Sequence, residues 1–86
     1  MNNEYKNHLA AVNQDSYTLQ DVPNELRTPE ICMAAVNQNG WSLRYVPNEL
    51  RTPELCMAAV ADDPDAIRFV NDEQLKQTIM ALYNID

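Results

Sequence analysis

Glycine is nearly missing from this chain: Gly40 stands alone among 86 residues. Hairpins and barrels draw on glycine for positive φ, so an all-β fold starts at a disadvantage. A glycine-rich loop that cradles phosphates is excluded for the same reason. Histidine is equally scarce, with His8 alone. A nucleophile needs an adjacent base and a group to orient it. Cys32 and Cys56 lie within apolar runs without such partners, and His8 reads as a solvated residue of a first helix. No Cys-x-x-Cys pair or His/Cys cluster offers zinc ligands. The stretch Asp62-Asp63-Pro64-Asp65 lacks the Gly and distal Glu of a calcium loop, so it reads as a solvated loop and helix cap. No catalytic, cofactor-binding or metal-ligating residue is expected, and no enzyme.

Basic charge is also short. Six Lys+Arg stand against 13 Asp+Glu, a net charge of −7. Such a surface repels phosphate backbones and anionic lipid, so direct nucleic-acid and membrane binding are not expected. The acidity serves solubility, or it forms a face that docks on a basic one, such as the nucleic-acid groove of another protein. No apolar run approaches the roughly 18 residues that a spanning helix requires. The opening MNNEYKNHLAAV lacks a basic segment followed by a long apolar run, so no secretory signal is expected there. The two cysteines read as small apolar core residues in a reducing compartment rather than a disulfide framework. A cytoplasmic location is expected, in the producing cell or in a host cell that the protein enters. The apolar fraction of 45% is ordinary for one small globular domain.

What the chain does have is repetition. Residues 22–33 read VPNELRTPEICM, and residues 46–57 read VPNELRTPELCM. The copies lie 24 residues apart, and the identity runs on through Ala34-Ala35-Val36 and Ala58-Ala59-Val60. A step back of 24 residues reaches Leu9-Ala10-Ala11-Val12, and a step forward carries Ser42–Val46 onto Ala66–Val70. After Val70 the copy drifts, with Leu75 one place later than Leu50 predicts. The expected fold is therefore all-α: a short α-solenoid of about three and a half 24-residue helix-pair repeats. One domain is expected over residues 1–86, with repeats near 5–28, 29–52 and 53–76 and a terminal capping helix over 75–83. The divergent ends suit terminal units that face water and a complete array.

Within a repeat, Thr28-Pro29-Glu30 and Thr52-Pro53-Glu54 each supply an N-cap, a first helical Pro and an acid at the positive helix end. The apolar ICMAAV and LCMAAV that follow fit a helix with neighbours on every side. Asn37-Gln38-Asn39-Gly40 supplies the stop, with Gly40 suited to a left-handed cap. Asp15 and Asp62-Asp63-Pro64 take the same part in other copies. A shorter second helix is expected near Ser42–Val46, anchored by Trp41, Leu43 and Val46. Pro47 then forces a break, so Pro47–Leu50 reads as a separate turn that returns Leu50 to the core, and Pro23–Leu26 alike.

The pattern Ala-Ala-Val-x-Gln-Asn-Gly-x-x-Leu-x-Tyr-Val, followed by Glu-Leu-Arg-x-x-Glu, is carried best by Ala34–Glu54, with weaker copies over most of 5–83. It resembles the short α-helical repeats of a bacterial family, the domain-of-unknown-function family 4116. The resemblance implies an all-α module found in bacterial proteins, some long and effector-like, with no catalytic residues to carry over. Pro23 and Pro47 depart from it, because they interrupt a stretch expected to be smoothly helical in that family.

Candidate binding residues come from the repeat itself. Asn24, Glu25 and Arg27 recur as Asn48, Glu49 and Arg51, and in part as Asp72 and Glu73. Stacked repeats would line them up along one edge, either pairing Arg with Glu or facing a partner. Trp41 answers Tyr17 and Asp65, so the repeat does not require an indole. It packs between repeats, or it serves with Tyr17 and Tyr45 as an interface anchor. The expected function is a non-enzymatic protein–protein interaction module of bacterial or phage origin, bound along the repeat edge. Two alternatives stand beside it: a small acidic inhibitor or immunity protein covering a basic groove, and a self-assembling unit that dimerises through its repeat ends.

Overall fold

The computed structural model describes residues 3–85; residues 1, 2 and 86 of the single domain expected over 1–86 lie outside the described residues. Every element among the described residues is helical. Four α-helices, α1 (Asn3–Gln14), α2 (Pro29–Gln38), α3 (Pro53–Asp62) and α4 (Glu73–Tyr83), alternate with tighter 3₁₀ segments. These are η1 (Ser16–Asp21), η2 (Asn24–Leu26), η3 (Gly40–Tyr45), η4 (Asn48–Leu50) and η5 (Pro64–Phe69).

The starts and stops follow from single side chains. Thr28 and Thr52 hold extended backbone, and their hydroxyls accept from Ile31 N and Leu55 N at 3.3 and 3.2 Å, with Pro29 and Pro53 opening the helices. Each α-helix before α4 ends on one residue that also starts the next 3₁₀ segment. Asp15, Asn39 and Asp63 donate their backbone N–H to Ala11 O, Ala35 O and Ala59 O. Their side chains accept from Tyr17 N, Trp41 N and Asp65 N, each at 3.0 Å. One short polar side chain thus closes one element and caps the next.

The second element of each unit is 3₁₀, not α. In the first two units buried residues recur every three places, Ser16, Leu19 and Val22, then Gly40, Leu43 and Val46, with Ser42 also buried; in the third, Ala66 and Val70 are the buried ones. A 3₁₀ helix superposes residues i and i+3 on one narrow face, and Pro23 and Pro47 hold the preceding Val in extended backbone. Val70 takes the same extended conformation with Asn71 after it, so proline accompanies the break in two units without being required for it in the third. The separate turns after each proline are present, and Leu26 and Leu50 pack against the core.

The α-helices neighbour one another in chain order, and η1, η3 and η5 likewise contact in order. Between the two layers lies one apolar seam that includes Val12, Leu19, Ile31, Cys32, Val36, Leu43, Cys56, Val60 and Ile79. Gly40 is not in the left-handed region; no described glycine has positive φ. Its lack of a side chain serves packing instead, because a Cβ there would overlap the Ala59 carbonyl oxygen. The last helix starts at Glu73, two residues before the expected 75, because Asp72 caps it through Leu75 N at 3.1 Å. Its end carries the one left-handed non-glycine residue among those described, Asn84, and Ile85 N returns to Met80 O.

Candidate functional site

The two repeated arginines have the most definite geometry. Arg27 donates through Nε to Val22 O at 2.7 Å, through Nη1 to Tyr45 O at 2.8 Å and through Nη2 to Gln20 O at 3.1 Å. Arg51 repeats the pattern on Val46 O at 2.9 Å, on Phe69 O and on Arg44 O at 3.4 Å. Each guanidinium therefore satisfies the last carbonyls of its own 3₁₀ segment and reaches the end of the next one. The planar fork of arginine suits three such acceptors; a lysine ammonium would not match it. Pairing with Glu, one of the roles open to these arginines in the sequence, is not the geometry observed. Burial pushes the Arg51 guanidinium down from its ordinary value, and the neighbouring Cys56 partly offsets this.

The arginines fix the short turns that carry the remaining edge candidates. Asn24 and Glu25 on η2 and Asn48 and Glu49 on η4 are exposed. Glu25 and Glu49 make no hydrogen bond or ion pair among the described residues. Asn48 Oδ1 accepts from Asn71 Nδ2 at 2.6 Å, which ties η4 to the linker before α4. Glu30, Glu54, Asp72 and Glu73 at the helix starts beside these turns are also exposed. Where the last copy lacks a counterpart of η4, a cavity of about 370 Å³ opens between Asn48, Arg51, Cys56 and Asp72.

The aromatic candidates lie on the 3₁₀ layer. Trp41 is half-buried and meets the edge of Phe69, ring centroids 5.2 Å apart at 74°. The Arg68 guanidinium lies 5.4 Å above the Trp41 ring, and that of Arg44 5.4 Å above Tyr45, itself half-buried. Tyr17 is 54% exposed. Trp41 therefore both fills the junction between η3 and η5 and presents part of its ring to solvent.

The groups considered for chemistry have structural surroundings. Cys32 and Cys56 are free, buried thiols. Burial pushes Cys32 up to about 11 against the pull of Arg27, and pushes Cys56 up against the pull of Arg51. His8 is partly buried rather than fully solvated, with Nε2 3.8 Å from Glu4 Oε2. Asp62 accepts from Gly40 N at 2.8 Å, and Asp63 caps η5. Gln38, which stands one repeat before Asp62, donates to Val12 O at 2.8 Å. Sequence reasoning missed these inter-unit bonds. Their signal was the recurrence of a polar residue at the last turn of each helix, Gln14, Gln38 and Asp62. No helix among the described residues is long and apolar enough to cross a membrane.

A family described as "Domain of unknown function (DUF4116)" matches residues 8–51, half of the chain. The match runs from His8 in α1 to Arg51, the second of the two clasping arginines, and so takes in η1–η4 and α2. No curated protein and no solved structure was found to match the chain.

Proposed function

The chain belongs to the DUF4116 family, and within it we propose a non-enzymatic protein–protein interaction module of bacterial or phage origin. Its architecture in this reading is a short α-solenoid of about three and a half 24-residue units. The ordered contacts of α1 to α4 and of η1, η3 and η5, with the 44 × 22 × 16 Å dimensions, support that reading. A cytoplasmic setting would keep the two buried cysteines as thiols.

The observation that carries the binding role is the division of labour within the repeated Asn-Glu-Leu-Arg. Leu packs inward and Arg clasps backbone carbonyls, while Asn and Glu stay exposed at the same place in successive units. Rigid turns holding repeated carboxylates form an extended strip suited to a protein partner with basic residues. A tighter version of the same reading is an inhibitor that covers a basic groove, favoured by the exposure of Glu30, Glu54 and Glu73 beside the strip.

Glu25→Lys/Glu49→Lys should keep the far-ultraviolet circular dichroism of the parent and lose capture of native partners from host extract. Capture should also weaken as salt rises. Undiminished capture by the folded double variant would refute the assignment.

A further inference from the structure

Of the six Lys+Arg residues, Arg27 and Arg51 are committed to backbone carbonyls, and Lys6 and Lys76 sit on the first and last helices. Arg44 and Arg68 remain, at equivalent places of η3 and η5, and both are exposed. Thirteen carboxylate side chains are present in the chain, yet neither arginine makes an ion pair among the described residues. Both guanidinium groups instead lie 5.4 Å from rings of η3, Tyr45 and Trp41. A guanidinium laid on an aromatic face keeps its N–H edge open, and that edge matches a carboxylate through two parallel bonds.

The row has one unmatched place. Arg68 reaches back to Trp41, and Trp41 meets Phe69. In the same register Arg44 would reach back to Tyr17, but it lies over Tyr45, and Tyr17 is 54% exposed. The 3₁₀ layer thus presents an exposed tyrosine on η1 and, on η3 and η5, two arginines that make no ion pair among the described residues.

We propose that this layer is a second docking surface, which takes an acidic peptide segment of a partner protein, with carboxylates on Arg44 and Arg68 and apolar side chains on Tyr17 and Trp41. Its charge complementarity is opposite to that of the Asn-Glu strip, to which it is joined by the bonds of Arg27 to Tyr45 O and of Arg51 to Arg44 O. Local pairing at short range drives the contact, since the net charge of −7 opposes an acidic partner at a distance.

Trp41 is the sole tryptophan and belongs to the surface, so its fluorescence reports occupancy directly. Titration with a short oligo-glutamate peptide at physiological ionic strength, where the long-range repulsion is screened, should shift Trp41 emission saturably. Arg44→Gln/Arg68→Gln should weaken half-saturation by about tenfold or more, as expected for losing two charge-assisted contacts. Lys6→Gln/Lys76→Gln removes the same charge elsewhere and should change it less than about twofold. No saturable response would overturn the proposal, and so would equal weakening in the two double variants, because binding would then follow net charge. Both arginines are exposed, and unchanged circular dichroism of each variant secures the comparison. An oligo-lysine titration that responds to Glu25→Lys/Glu49→Lys tests the acidic strip separately, so either surface can fail without the other.

Discussion

At the scale of single residues, two buried positions give opposite expectations. Gly40 lies against the Ala59 carbonyl, with its N–H bonded to Asp62. Ser16 holds the equivalent place one unit earlier and tolerates a side chain. There the helix-end residue is Gln38, which reaches Val12 O instead. The Asp62 bond and the missing Cβ therefore belong together, as a closer approach at one junction only. Gly40→Ala should destabilise by about 1–3 kcal/mol in urea unfolding, since backbone must move to admit the methyl. Ser42 is the reverse case: it is 1% exposed, and its hydroxyl finds no partner among the described residues. Ala66 fills the equivalent place of η5 and is fully buried. Ser42→Ala should raise stability by about 1 kcal/mol by removing an unpaired buried hydroxyl; a lower melting temperature would show that Ser42 has a partner. The buried thiols add a pH dependence. Cys32 titrates at about 11 in the folded chain against 9.0 ordinarily, so the unfolded chain loses that proton first. Stability is complete below about pH 9 and falls above it, by at most about 1.4 kcal/mol per pH unit for each thiol. Cys56 moves in the same direction. Urea midpoints from neutral pH to pH 10.5 should fall more steeply for the parent than for Cys32→Ala/Cys56→Ala.

At the scale of elements, what the sequence displays depends on how local the cause is. The α-helix starts are legible because Thr-Pro-Glu caps through contacts within one turn, as Thr28 and Thr52 do. The stops at Asp15, Asn39 and Asp63 are legible for the same reason. The 3₁₀ character of the second element is only half legible. Its signal is the period of three in Ser16-Leu19-Val22 and Gly40-Leu43-Val46, which a reading tuned to α-helices takes for a short α-helix. The arginine clasps are not legible at all, because each joins carbonyls 18 residues away that exist as orphans only once the next 3₁₀ segment has formed. Of the edge candidates, Arg27 and Arg51 take their role from tertiary structure, while the exposure of Asn24, Glu25, Asn48 and Glu49 follows from their places on polar turns. Arg51→Lys keeps the charge but breaks the fork, and should cost about 2–3 kcal/mol, since bonds to charged groups stabilise more than neutral ones. Glu49→Gln beside it should change stability by less than about 0.5 kcal/mol. If both variants unfold at the same denaturant concentration as the parent, the clasp contributes nothing to cohesion.

At the scale of the whole molecule, the junctions decide whether the units are interchangeable. The residues on each side of Thr28-Pro29 and of Thr52-Pro53 are nearly identical, and both junctions carry the same cap and the same arginine clasp. A second copy of residues 29–52 placed after Thr52 would therefore keep the cap and the clasp at both junctions, with Gly40 of the first copy facing a Gln38 in place of Asp62. Four packed helices at interaxial distances of about 8–10 Å, plus one helix diameter of about 10–12 Å, span roughly 34–42 Å. That span comes close to the 44 Å long dimension, as a linear stack requires. The insertion should lengthen the particle by about 8–10 Å, measured by small-angle scattering, while the other two dimensions stay unchanged. The melting temperature should also rise, because an added unit brings one more interface without a new exposed end. A particle that widens instead of lengthening, or one that melts lower, would mean that the units close on one another rather than stack. The edge of Asn and Glu would then no longer extend with the chain.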